Sequence, residues 1–308
     1  MGKAVIIGES LIDIVRTPDG QQREYPGGSP MNVAIGLARL GRATELVTWL
    51  GTDARGQAIL EHLQESGVEL VPGATGAPRT STALAQLDDA GHAEYVFDLL
   101  WEVPPLPARD TVLVAHTGSM SAVLGAAPDA ESWPVFEMLA QLRDAATITY
   151  DPNIRPDVMG TPAQVIHLVE QLVGITDVVK VSDEDLAWLY PEVPPVDSAR
   201  AWAQGAGPSL VVLTQGAAGS LGLTADGREI AIPADPTVVV ADTVGAGDSF
   251  MSGLLHALWR EDLLGAVHRL ELASLPTELL SSILSLAARI ADITVSRPGA
   301  DPPWLSQV

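Results

Sequence analysis

Cysteine is missing altogether from the 308 residues, which excludes disulfides and thiolate metal sites and by itself says nothing of compartment. Positive charge is scarce: 17 Lys and Arg face 39 Asp and Glu, a formal charge of −22. A chain this acidic does not bind nucleic acid or an anionic membrane through bulk electrostatics. Any anionic ligand must be held locally, by backbone dipoles, a few arginines or a divalent cation. Long apolar runs are also lacking. The least charged stretch, residues 111–128, is broken by His, Gly, Ser and Pro, and Glu9 interrupts the start too early for a signal peptide, so a cytoplasmic protein is expected.

Several catalytic signatures are absent. There is no G-x-x-x-x-G-K-[ST], no H-E-x-x-H and no G-x-S-x-G. Histidines 62, 92, 116, 167, 256 and 268 lack ligand spacing, and His116, in an apolar run, reads as a core residue. Metal hydrolase and serine hydrolase classes therefore fall away. A Rossmann reading is weak, because Gly8-Glu9-Ser10 is not G-x-G-x-x-G.

What is present is alternation of short β runs with helical patterns. Strands are predicted at residues 4–8, 45–50, 111–115, 147–151, 178–181 and 210–214, and helices at 33–40, 57–66, 133–143, 162–173, 184–190 and 199–204. Repeated β then α implies one α/β domain over 1–308, with a central, mostly parallel sheet and helices on both faces. Ligands in such sheets sit beyond the carboxyl ends of the strands. Residues 80–100 switch to a period of two around Asp88-Asp89-Ala90-Gly91, a hairpin inserted between βα units. With the segment around residues 13–25 it could form a small sheet over a pocket or serve as a subunit interface, with the inserted strands expected at about 12–26 and 79–101.

Three polar strings stand out, each with two readings. In Gly27-Gly28-Ser29-Pro30-Met31-Asn32 the glycines clear space against the backbone and Asn32 can read sugar hydroxyls, yet an Asn cap before a helix fits equally. Asp13 lies among aliphatics, either at a solvent-facing position of an edge strand or as an acceptor for a polyol. Asp242-Thr243-Val244-Gly245-Ala246-Gly247-Asp248-Ser249-Phe250 follows the β-branched run Thr237-Val238-Val239-Val240 and precedes a helix over 249–260. It reads as strand, small-residue turn and helix start. Free N–H groups there suit phosphate, and Asp248 is either an ordinary cap or a catalytic acid residue.

Together the strings resemble the ribokinase-like (PfkB-type) carbohydrate kinases, in order and over nearly the whole chain. The string from Gly27 to Asn32 with Leu40-Gly41 resembles the family's N-terminal signature, and that from Asp242 to Phe250 its C-terminal one. The resemblance implies a ribokinase-like fold with a β-sheet lid, ATP and Mg²⁺ as cofactors and a sugar as substrate. It makes Asp248 the base for the sugar hydroxyl, and the N–H groups of Gly245, Ala246, Gly247 and Asp248 an anion hole. Asp13, Gly27, Gly28 and Asn32 would hold the sugar. Thr214, Gly216 and Gly219, with Lys180, Ser182 and Thr243, are the nucleotide-side candidates, residues 281–299 would flank the adenine, and the lid would exclude water.

Two departures bear on the metal and the charges. The family's N-x-x-E reads here as Ser182-x-x-Asp185 with Glu184 alongside, so Asp185 and Glu184 are both candidates for the Mg²⁺ network. Lys180 and Arg155 are candidate counter-charges to phosphate, or ordinary surface ion-pair partners. The resemblance also implies a monovalent cation, potassium, near Asp242 and Val244, and a homodimer through the lid. Gly8-Glu9-Ser10-Leu11-Ile12-Asp13 and Asp151-Pro152-Asn153-Ile154-Arg155 resemble fructokinases more than ribokinases. The second string also resembles 2-keto-3-deoxygluconate kinases, where Arg155 would meet a sugar acid's carboxylate. A non-catalytic sugar or nucleotide sensor on the same fold is the alternative outside catalysis, and the presence of Asp248 and its turn counts against it.

Overall fold

The β-branched runs bounded by glycine and proline become strands in a computed structural model that describes residues 2–87, 93–106 and 111–308. In chain order, β1 (Lys3–Ile7), β2 (Leu11–Arg16) and β3 (Gln22–Gly27) precede α1 (Ser29–Arg39). Next come β4 (Thr44–Val47), α2 (Ala54–Glu65), β5 (Glu69–Leu70), β6 (Thr82–Leu87) and β7 (Ala93–Asp98). The middle holds β8 (Val112–Gly118), α3 (Pro134–Leu142), β9 (Thr147–Asp151), α4 (Pro156–Met159), α5 (Pro162–Ile175), β10 (Val178–Ser182), α6 (Asp183–Leu189), α7 (Pro195–Gln204) and β11 (Leu210–Thr214). The last elements are β12 (Ser220–Thr224), β13 (Glu229–Ile232), α8 (Ala246–Arg260), α9 (Arg269–Leu272) and α10 (Thr277–Val295).

Nine strands form one sheet in the order β13-β12-β11-β10-β9-β8-β1-β4-β5, parallel except where β12 pairs antiparallel with both its neighbours. Alternate residues of β1 feed two separate cores. Ala4 and Ile6 pack with α1, α2, α8 and α10, while Val5 and Ile7 pack with α3, α5 and α7. Burial on both faces is what a parallel sheet between two helical layers requires. His116 is fully buried in β8 with Nδ1 3.0 Å from Thr149 Oγ1, the core role expected of it. No helix among the described residues is long and apolar enough to cross a membrane.

The second sheet has the order β3-β2-β6-β7 and is built from the segments expected to make the lid. Its β6–β7 pair is the anticipated hairpin; the turn with His92 and the last proline of the Pro104–Pro107 string lie outside the described residues. β2 lies between β3 and β6, so Asp13 is on an interior strand and the solvent-facing edge reading is wrong.

Chain direction reverses beside β1. The chain steps outward through β4 and β5, then crosses back to β8 on the other flank. The loops after β1 and β8 therefore diverge and open a crevice at the carboxyl ends of the strands.

Other expectations also needed correction. Thr237-Val238-Val239-Val240 is not a strand: the sheet ends at β13, no strand pairs with the segment among the described residues, and Val239 is 81% exposed. β-branched residues favour a strand only when a ladder accepts them. β12 and β13 were missed because Gly219, Gly222 and Gly227 interrupt the apolar pattern. α1 begins at Ser29 rather than at 33, with Pro30 in the first turn where its missing N–H leaves nothing unpaired. α8 starts at Ala246, three residues before the expected 249, so Asp248 sits inside its first turn.

Candidate active site

The first turn of α8 is capped by backbone alone. Gly245 adopts a left-handed conformation (φ 74°), which favours glycine, and contributes no capping side chain. The N–H groups of Gly247 and Asp248 have no acceptor among the described residues. Asp248 does not cap the helix. Its buried carboxylate turns towards α1, accepting from Ser29 Oγ at 2.7 Å and from Asn32 Nδ2 at 2.8 Å. Ser29 and Asn32 reach it because residues three apart share one face of a helix.

Beside this turn lies a buried cation. A Cβ on Gly247 would stand 2.8 Å from Lys180 Nζ, so the absent side chain leaves a gap between the helix N-terminus and the ammonium group. Lys180 pairs with Asp151 at 2.9 Å, both nearly inaccessible. Burial opposes the lysine charge, but Asp151, Asp185 and Asp248 outweigh it and hold its pKa above the ordinary value. Asp151 Oδ1 is buried and has no hydrogen-bond partner among the described residues. Free N–H groups, a helix N-terminus and a lysine together suit a multiply charged anion.

The two acids singled out for a metal part company. Asp185 is buried and committed: it accepts from Ile154 N at 2.7 Å and from Ser182 Oγ at 2.6 Å, and closes a capping box at the start of α6. Glu184, one residue away, is exposed. No group of three or more potential metal-ligating side chains occurs among the described residues.

On the other side of Asp248 lies a cluster of acids around one guanidinium. Burial raises Asp13 to about 6, with Arg155 opposing and Asp248 adding to the shift. A Cβ on Gly27 would overlap Asp13 Oδ2, and one on Gly28 would stand 2.5 Å from the Glu9 carbonyl. The glycine pair is thus the wall against which Asp13 and the first loop fit. Arg155 Nη1 donates to the carbonyl of Ile154 at 2.9 Å and makes no ion pair among the described residues. Glu9 is buried in the crevice after β1, its N–H bonded to Ser121 Oγ at 3.1 Å, and desolvation pushes its carboxyl up to about 7.

The nucleotide-side candidates lie on β10 and β11 and in the loops past β11 and β13. Thr214 ends β11, and Gly216 and Gly219 shape the turn into β12 with positive φ. Thr243 and Val244 are exposed in the segment before α8. Asp242 accepts from Val244 N at 3.0 Å and Gly299 N at 2.9 Å, bonds that hold its pKa below the usual carboxylate range. The structure therefore joins Asp13, Asn32, Asp248, Gly245, Ala246, Gly247 and Lys180 around one crevice and leaves Glu184 outside. Sequence reasoning missed Ser29, Asp151 and Glu9. The i, i+3 spacing of Ser29 and Asn32 was a usable signal, but nothing local marks Asp151 as the partner of a lysine 29 positions away.

Residues 1–307 match the pfkB family carbohydrate kinases. A fructokinase from Rhizobium leguminosarum bv. trifolii is 36% identical over 271 residues, covering 83% of this chain and 80% of its own. A solved fructokinase with bound ATP from Xylella fastidiosa is similar with a TM-score of 0.83 and 25% identity, over 100% of this chain and 97% of that one. A fructokinase double mutant from Vibrio cholerae O395, in a form with fructose, ADP and potassium bound, shares the fold at a TM-score of 0.74 and 23% identity, over 97% and 94% of the two chains.

Proposed function

This chain belongs to the pfkB family of carbohydrate kinases, and from that premise we propose that it is a fructokinase using ATP. The observation that carries the mechanism is Asp248, held by Ser29 and Asn32 next to the unpaired N–H groups of its own helix turn. Asp248 accepts the proton of the sugar hydroxyl as that oxygen bonds to the γ-phosphorus. The bond from phosphorus to the β,γ-bridging oxygen breaks, and ADP leaves. Negative charge spreads over the transferring group, where the N–H groups of Gly247 and Asp248, the α8 N-terminus and Lys180 stabilise it. Asp13, packed against Gly27, and Asn32 orient the sugar.

Mg²⁺ would neutralise part of the phosphate charge. Asp151 Oδ1, buried and unpartnered, fits its water shell better than Asp185, whose oxygens are taken, or the outward Glu184. Potassium is proposed beside Asp242 and Val244, with loop carbonyls as its ligands, and potassium-dependent turnover tests it. A homodimer through the lid is supported by Tyr25 and Tyr95, about half exposed on the small sheet, and light scattering tests it.

Asp248→Asn is expected to lower kcat at least about a hundredfold while sparing sugar binding. Unchanged turnover would refute the assignment of the base. A panel of fructose, ribose, inositol, adenosine and 2-keto-3-deoxygluconate, followed by ADP release, tests the substrate, and fructose turned over no better than the others would overturn the fructokinase reading. One observation favours a second reading: Arg155 has no carboxylate partner among the described residues, so a sugar acid could supply one, and preferential turnover of 2-keto-3-deoxygluconate would select it.

A further inference from the structure

The helices that hold the catalytic constellation at their N-terminal ends meet again at their C-terminal ends. After α1 the chain turns at Gly41 (φ 79°), and Arg42 N bonds back to the Leu37 carbonyl at 3.0 Å. Arg42 is thereby set against α8, where its Nε donates to His256 Nδ1 at 3.2 Å and its guanidinium lies 5.2 Å from the Trp259 ring centre. Beside this contact opens a cavity of about 440 Å³ whose lining includes Arg42, Arg260 and Arg289, His256, the apolar Leu40 and Leu286, and Val308, the last residue, whose carboxylate closes no ion pair among the described residues.

Every polar side chain named in this lining is a donor. An arginine Nε–H can only donate, so His256 Nδ1 is the acceptor and the ring proton sits on Nε2. His256 is 3% exposed, and its Nε2–H has no partner among the described residues. Burial and the charges of Arg42 and Arg260 hold this histidine down at about 4, so it stays a neutral donor. Arg42, Arg260 and Arg289 make no ion pair among the described residues; Asp262 is felt by Arg42 without closing one. Two of the guanidiniums offset the partial negative charges at the ends of α1 and α8, about half a charge each. Arg289 on α10 shares the lining with the Val308 carboxylate without closing an ion pair, so it and the His256 N–H remain unmatched, in a chain whose net charge is −22. Donors converging from three elements suit a tetrahedral dianion better than a planar carboxylate, which one guanidinium fork satisfies.

We propose that this cavity binds a small phosphate monoester, its phosphate held by Arg42, Arg260, Arg289 and the His256 Nε2–H and its organic part lying against Leu40 and Leu286. The site is separate from the catalytic crevice, yet it rests on the two helices that carry Ser29, Asn32 and Asp248.

Calorimetric titration of the full chain with glycerol 3-phosphate, inorganic phosphate and acetate, each with and without saturating ADP and Mg²⁺, tests this. The expected result is monoester binding that persists with ADP present, is tighter than that of inorganic phosphate, and weakens at least about tenfold in Arg260→Gln/Arg289→Gln. Both arginines are exposed, and the double variant is expected to keep its turnover without added phosphate. Affinity unchanged in the variant, or binding abolished by ADP, would overturn the proposal. So would acetate binding equal to that of the monoester, equal affinity for inorganic phosphate, or no heat at millimolar ligand.

Discussion

Replacing Lys180 by Met tests the electrostatics of the crevice most directly. Lys180 and Asp151 are 5% and 1% exposed as side chains and lie 2.9 Å apart, so the substitution leaves a carboxylate buried beside Asp185 and Asp248 without its cation. Breaking a buried pair from one side costs about 3–5 kcal/mol, because the remaining charge keeps its desolvation penalty. Asp151 can escape by taking up a proton, which gives the loss a pH signature. Burial already raises this carboxyl, and without Lys180 it rises further. A carboxyl raised in the folded state contributes stability below its unfolded pKa and loses it as pH climbs through the folded value. The deficit of Lys180→Met in urea unfolding is thus expected to be small near about pH 5 and to approach its full size near about pH 8. Lys180→Met/Asp151→Asn is expected to recover much of it. If the single variant matches wild type at both pH values, or if the double variant is the less stable, the buried pair described here is refuted.

Three further outcomes are expected. Gly247→Ala puts a methyl group 2.8 Å from Lys180 Nζ, a flexible end that can yield, so stability should change little while kcat falls by roughly a hundredfold in a steady-state assay. Gly27→Ala overlaps Asp13 Oδ2 and should raise the KM for sugar more than it lowers kcat, a split that substrate-saturation kinetics reads. Glu9 is raised by burial to about 7, so its contribution to stability is present at acid pH and is lost as the pH rises through that value. Glu9→Gln should therefore flatten part of the wild-type loss between about pH 5 and pH 8, with a gain of up to roughly 3 kcal/mol at the alkaline end, measured by urea unfolding.

Much of the candidate site was legible because its parts are written as short contiguous strings. Gly245 and Gly247 announce a backbone that must come close to something, and Asp248 follows them directly. What such a string leaves open is direction. Asp248 could have turned back to cap α8; α1 decides otherwise, by presenting Ser29 and Asn32 to its two oxygens. Asp13 shows the same limit. An acid among aliphatics fits a solvent-facing edge, and only the pairing of β2 with β3 and β6 puts it in the interior of the small sheet.

The sequence by itself determined the alternation of strands and helices, the two-layered burial of the sheet, and the glycine turn where α8 begins, because periodicity, propensity and backbone freedom act over a few neighbouring residues. Tertiary structure alone decided which charges face one another. Lys180 with Asp151, Asp248 with α1 and Arg42 with His256 are separated by 29 to 219 positions in the chain, and burial sets the energy of each pairing. It also withheld a partner from residues 237–240, whose β-branched pattern promised a strand. A strand needs a ladder, and whether one is within reach is not a property of the segment.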